Sequence, residues 1–164
     1  MNEFPYHICL VALQHPKYSK DYVSVEELRE WDRSCTKFNN GILLGKHKDI
    51  TTDEWVAASD LVVSMTSTIL ATAAYLRKLC VAYLTPEIFE TKLAAGGYKF
   101  LPIAKLGACK VATHEEELKH FVGLALFSDQ HDVLGLLENQ KKHFSCDGKN
   151  AARVADVVES LLRK

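Results

Sequence analysis

Ser59-Asp60-Leu61-Val62-Val63-Ser64-Met65-Thr66-Ser67-Thr68-Ile69-Leu70-Ala71-Thr72-Ala73-Ala74-Tyr75-Leu76-Arg77-Lys78 is the stretch on which the reading of the fold turns. The run Leu61-Val62-Val63-Ser64 has the length and β-branching of a buried strand. A hydroxyl-rich turn follows, and residues 67–77 read as a helix. A strand, a turn and a helix in this order aim backbone N–H groups and the positive end of the helix dipole at one point, which suits a phosphate. Ser64, Thr66, Ser67 and Thr68 add four hydroxyls around that point. A helix cap needs only one of them. Two readings of Ser67 and Thr68 are therefore open, ligand contact and capping alone.

Outward from this stretch the chain alternates strand and helix. Ile8-Cys9-Leu10-Val11-Ala12-Leu13 is a continuous apolar run that fits a strand covered on both faces, and Gln14-His15-Pro16 ends it. Ser24 and Glu27 form a capping-box pattern ahead of a helix over 25–38, which Asn39-Asn40-Gly41 stops. Ile42-Leu43-Leu44 reads as a second strand, and Thr51 with Glu54 opens a short helix through Ala58. Residues 80–84 form the fourth strand, and Pro86 begins a helix that Gly96-Gly97 breaks. Shorter strands are expected at 100–103 and 109–112. Thr113 and Glu116 open a helix towards Phe127, and two more helices follow over 131–142 and 150–162. Val154, Val157, Val158, Leu161 and Leu162 fall on one face of the last. The alternation predicts an α/β fold, a single Rossmann-like three-layer domain over residues 1–164 with a mostly parallel sheet.

Bulk composition narrows the function classes. A chain of 164 residues, 48% hydrophobic and 25% charged, fits one globular domain. A net charge of −1 argues against a broad nucleic-acid-binding field. The five cysteines are scattered without a C-x-x-C pair, which fits a reduced, cytoplasmic protein in which Cys9 and Cys80 act as small hydrophobes. The seven histidines show no metal-ligand spacing. The N-terminus lacks the pattern of a signal peptide, and the longest uncharged stretch, 61–76, is too short for a membrane span. No Gly-rich dinucleotide or P-loop fingerprint is present, so no cofactor is expected.

In parallel sheets ligands sit beyond the carboxyl ends of the strands. Three segments are expected there: Gln14-His15-Pro16-Lys17, Met65-Thr66-Ser67-Thr68 and Thr85-Pro86-Glu87. His15 is the candidate acid or base, with hydrogen bonding to its own loop as the alternative. Lys17 offers a charge to an anionic ligand. Glu87 and Glu115-Glu116-Glu117 read as helix-start carboxylates, and Asp147-Gly148-Lys149 as a turn and cap.

Ser59 to Ser64, Ser67-Thr68, Ala73 to Leu76 and Lys78 together resemble the C-terminal, donor-binding half of GT-B glycosyltransferases and of UDP-N-acetylglucosamine 2-epimerase-like proteins. The His15-Pro16 turn, the segments Leu101-Pro102-Ile103 and Leu106-Gly107-Ala108, and the run from Asp147 to Ala155 follow the same pattern, so the resemblance covers almost the whole chain. It implies a nucleotide-sugar ligand, a UDP-sugar above all. Ser64, Thr66, Ser67, Thr68, Thr72 and Thr85 would lie along the diphosphate and nucleotide, with His15 and Lys17 nearby. It also implies a partner, a separate acceptor-binding domain or subunit, while a homodimer is the partner expected of an assembly module. The chain departs from the pattern at two places. Thr72 stands where the family carries a Glu for the ribose or sugar hydroxyls, and Arg77-Lys78-Leu79 stands for the usual Gly-Lys-Pro. Two function classes follow: a nucleotide-sugar-binding component of a glycosyltransferase or epimerase, and a non-catalytic Rossmann-like module used for protein assembly.

Overall fold

The computed structural model describes residues 9–13, 26, 29, 30, 33, 42, 43, 49–127, 131–144 and 147–163. The chain divides into two compact units, Met1–Thr52 and Asp53–Lys164. In the first unit, β1 (Val11–Ala12) pairs in parallel with β2 (Ile42–Leu43). Glu26, Arg29, Glu30 and Arg33 are helical, inside the helix expected over 25–38. Burial of β1 on both faces is not found: Val11 and Ala12 are half-buried, and Cys9, Leu10 and Leu13 are exposed.

The second unit is an α/β layer structure. Its strands are β3 (Leu61–Ser64), β4 (Leu79–Tyr83) and β5 (Lys110–Ala112), all parallel in the order β3-β4-β5. Helix α1 (Thr52–Ala58) precedes β3, and α2 (Ile69–Tyr75) joins β3 to β4. After β4, α3 (Pro86–Ile88) runs into a π-helical turn, Phe89–Leu93, and a 3-10 turn, Ala94–Gly96. Helix α4 (Pro102–Lys105) precedes β5. Then come α5 (Glu115–Phe127), α6 (His131–His143) and α7 (Asn150–Leu162).

β4 is central, and Leu79, Cys80, Val81 and Ala82 are all buried, as a parallel strand covered on both faces requires. Leu70, Ala73 and Ala74 of α2 enter the same core, at the i, i+3, i+4 spacing seen in the sequence. A helix of seven residues does not hold by propensity, so α2 stands on this packing.

Three segments end in the same way. In α2 the Lys78 N–H donates to the Ala73 carbonyl at 2.8 Å and the Arg77 N–H to Ala74 at 3.2 Å, a Schellman ending. Tyr98 donates to Leu93 at 3.0 Å and Ala108 to Ile103 at 3.2 Å across the other two. The left-handed position is Gly97 (φ 78°) and Gly107 (φ 66°) in those two, but Arg77 (φ 58°) in the first. Arg77 therefore holds a conformation that glycine adopts without strain. Among the described residues its guanidinium reaches four carbonyls. Nη1 donates to Ala74 at 2.8 Å, Tyr75 at 3.4 Å and Gln140 at 3.2 Å, and Nη2 donates to Phe144 at 2.6 Å. One cation thus binds the carboxyl ends of both α2 and α6, where the helix dipoles favour it. Gln140 makes a second tie. Fully buried in α6, it donates from Nε2 to Lys78 O at 2.9 Å and to Ala108 O at 3.1 Å.

The expected strand at 100–103 is a correction: Leu101 is extended, Pro102 opens α4 at its first turn, and Gly107 closes the segment. Proline pre-sets the helical φ and has no N–H to give a sheet ladder, which outweighs the apolar run. The cap at α5 shifts by one residue. Glu117, rather than Glu116, accepts from the Thr113 N–H at 2.7 Å and from its hydroxyl at 2.8 Å. These two bonds, the backbone one first, hold the Glu117 carboxyl below its ordinary value. A lowered folded-state pKa gives stability that is present above the unfolded value and lost as pH falls through the folded one. Glu117→Gln is expected to lower the melting temperature at neutral pH and to converge on the parent in acid. A melting difference that did not change with pH would contradict this.

Candidate functional site

The carboxyl ends of β3 and β4 lie side by side, because Ser64 is in register with Ala82. The hydroxyl turn 65–68 and the segment 84–86 therefore leave the same edge of the sheet, where parallel sheets take their ligands. Ser64 ends β3 and is half-buried, while Thr66 and Thr68 are exposed. None of these three hydroxyls has a hydrogen-bond partner among the described residues. Ser67 differs, its Oγ accepting from the Ile69 N–H at 3.3 Å.

The amides that open α2 are engaged within the turn. Leu70 N donates to Ser67 O at 3.2 Å, and Ala71 N and Thr72 N donate to Thr68 O at 2.9 and 3.2 Å. What the turn presents outward is thus hydroxyls rather than the amides of residues 69–72. Thr72 follows Thr68 by one helical turn and is half-buried on α2, so the two share a face. Thr85 caps α3: its Oγ1 accepts from Ile88 N at 3.3 Å, and Pro86 occupies the first helical turn. His15 and Lys17 lie outside the described residues.

Other chemistry-bearing groups are held in structural roles. Asp147 accepts from Lys149 N at 3.0 Å and binds Arg153 through both oxygens, at 2.8 and 3.0 Å, so the expected turn is present ahead of α7, but the N-cap position, Lys149, makes no side-chain capping bond. Cys80 and Cys109 are buried and free. The Cys109 thiol beside it, and then burial, push Cys80 far up, so that it stays a protonated core thiol donating to Ala108 O at 3.3 Å. Among the described residues no group of three or more His, Cys, Asp or Glu side chains is placed to hold a metal ion. Likewise, among these residues no helix is long and apolar enough to cross a membrane.

A cavity of about 400 Å³ opens at the same sheet edge, beyond β4 and β5. Leu84, Pro86 and Val111 line it; Pro86 belongs to the expected segment Thr85-Pro86-Glu87, whereas Ser64, Thr66, Ser67, Thr68, Thr72 and Thr85 are not in the lining. The sequence signal that accompanies it is the segment Tyr98-Lys99-Phe100 after Gly97, in which two aromatic rings are exposed around a lysine. No protein-family model, no curated protein and no solved structure matches this chain.

Proposed function

We propose that this chain is the nucleotide-sugar-binding half of a glycosyltransferase or epimerase, of the GT-B C-terminal type, with a UDP-sugar as ligand and a separate acceptor-binding domain or subunit as partner. The observation that carries it is the turn at the carboxyl edge of β3, where the hydroxyls of Ser64, Thr66 and Thr68 have no hydrogen-bond partner among the described residues. Hydroxyls at such an edge donate to diphosphate oxygens and stabilise a leaving diphosphate. The order of the sequence segments around the turn supports the same assignment. Calorimetric titration of the chain with UDP-, GDP- and CDP-sugars tests it. Saturable heat with the UDP-sugar is expected, and Thr66→Ala with Thr68→Ala should weaken binding about a hundredfold, since each lost hydrogen bond to a charged group is worth roughly 1.5 kcal/mol. Absence of heat at millimolar UDP-sugar, alone and with the acceptor-side partner, would count against the reading.

A specific observation favours a second reading, the non-catalytic assembly module. Val154, Val157, Val158 and Leu161 form a stripe on α7, each at least half exposed, and Thr72 replaces the family's Glu. Size-exclusion chromatography separates the two readings: a stable homodimer without nucleotide binding supports the module.

A further inference from the structure

The cavity beyond β4 and β5 is lined by apolar side chains together with two charged ones. Leu84, Phe89, Leu101, Ala104 and Val111 supply the walls, and Thr113 adds a hydroxyl. Its volume of about 400 Å³ falls within the range of small-molecule sites. Phe89 and Glu90 reach it from the π-helical turn Phe89–Leu93. Such turns are rare and concentrate at functional sites. Phe100, also in the lining, is held under the Lys105 ammonium, 4.4 Å from its ring centroid.

Two opposite charges, Glu90 and Lys99, line the same cavity, and both are exposed. They do not pair with each other, and among the described residues neither has another ion-pair partner. Opposite charges at one apolar cavity, left unjoined, match a ligand that carries both signs on a short head with an apolar body below it. We propose that the cavity binds a small zwitterion bearing an apolar ring, of the aromatic α-amino acid class. The ring lies against Phe89, Leu101 and Val111, the carboxylate meets Lys99 and the ammonium meets Glu90. This site shares no residue with the hydroxyl turn, so it stands or falls separately from nucleotide-sugar binding.

The test is an NMR titration of the full chain with three probes: L-phenylalanine, phenylethylamine, which lacks the carboxylate, and 3-phenylpropanoate, which lacks the ammonium. L-phenylalanine is expected to saturate with a dissociation constant on the order of 1 mM, as for a ligand of about a dozen atoms. Its shifts should centre on 89–101 and 111–113. Each analogue should bind about threefold more weakly, the scale of one solvent-exposed charge pair. Lys99→Glu should weaken L-phenylalanine and leave phenylethylamine at least as tightly bound, and Glu90→Lys should do the same for 3-phenylpropanoate. Both positions are exposed, so the variants should fold as the parent does. Three results would each overturn the proposal: no saturable shift with L-phenylalanine up to its solubility, equal affinity for all three probes, or unchanged binding in a cavity-filling Ala104→Phe variant that retains the parent's spectrum.

Discussion

Arg77→Ala is expected to destabilise the chain by about 3 kcal/mol, read as a drop in the urea midpoint, because bonds from a charged donor are worth roughly 1.5–3 kcal/mol each and water recovers part of the loss. The substitution removes these guanidinium bonds to Ala74, Tyr75, Gln140 and Phe144 and leaves the carboxyl ends of α2 and α6 without their shared cation. It also retains the cost of the left-handed backbone at φ 58°, since alanine carries the same Cβ. Arg77→Gly separates the two effects. Glycine loses the same bonds but occupies that φ without strain, so it should be about 1 kcal/mol more stable than the alanine variant. Arg77→Lys should fall near alanine, because a single ammonium lacks the planar fork that spans two helix ends. If Arg77→Gly matched or exceeded the parent in stability, the guanidinium bonds would contribute no more than the roughly 1 kcal/mol of strain that glycine relieves, and the account would fail.

Gln140→Met should cost about 2 kcal/mol, the scale for losing two buried amide hydrogen bonds when volume is nearly conserved. Lys78 O and Ala108 O each lose the donor that Nε2 supplies. The loss is partly offset because Gln140 Oε1 is buried without a partner, so deleting it removes a desolvation penalty. Gln140→Glu tests the orientation of the amide. A carboxylate there would face two carbonyl oxygens with no donor to give, and burial together with those oxygens would raise its folded-state pKa above the unfolded value near 4.3. A raised pKa means that stability is retained below the unfolded value and lost as pH rises through the folded one. The Glu variant should therefore be less stable than the Met variant at neutral pH and approach it in acid. Urea midpoints taken across that range decide the matter; equal midpoints for the Met variant and the parent would show that the Nε2 bonds are worth no more than the penalty of burying Oε1. Arg77 Nη1 donates to the Gln140 carbonyl, so the two positions hold the same helix and their effects should not add.

Much of the fold is legible in local pattern. β3 has the bounds its apolar run predicts, and Leu70, Ala73 and Ala74 sit in the core where helical spacing puts them. Thr113 marks the start of α5, although the carboxylate that answers it is one residue further along. Local pattern fails at 100–103, where an apolar run next to Pro102 is helical. It also gives no sign of Gln140, a polar residue followed by Lys141 and Lys142 in a helix whose last turn is basic, yet completely buried. Of the expected site, the turn from Ser64 to Thr68 is legible, while the division of labour within it is not: Ser67 caps and its neighbours do not.

By itself the sequence determined the alternation of strand and helix, the parallel sheet, and the place of the hydroxyl turn, because these follow from periodicity and from turn residues within a few positions of one another. The tertiary structure decided what Arg77 and Gln140 do and where the charged cavity opens. Arg77 meets acceptors 63 and 67 residues away, and Gln140 meets one 62 residues away. Contacts at such separation depend on how α2, β4 and α6 pack. Glycine's usual place in a Schellman ending could therefore be taken by an arginine only once a second helix end had been brought within its reach.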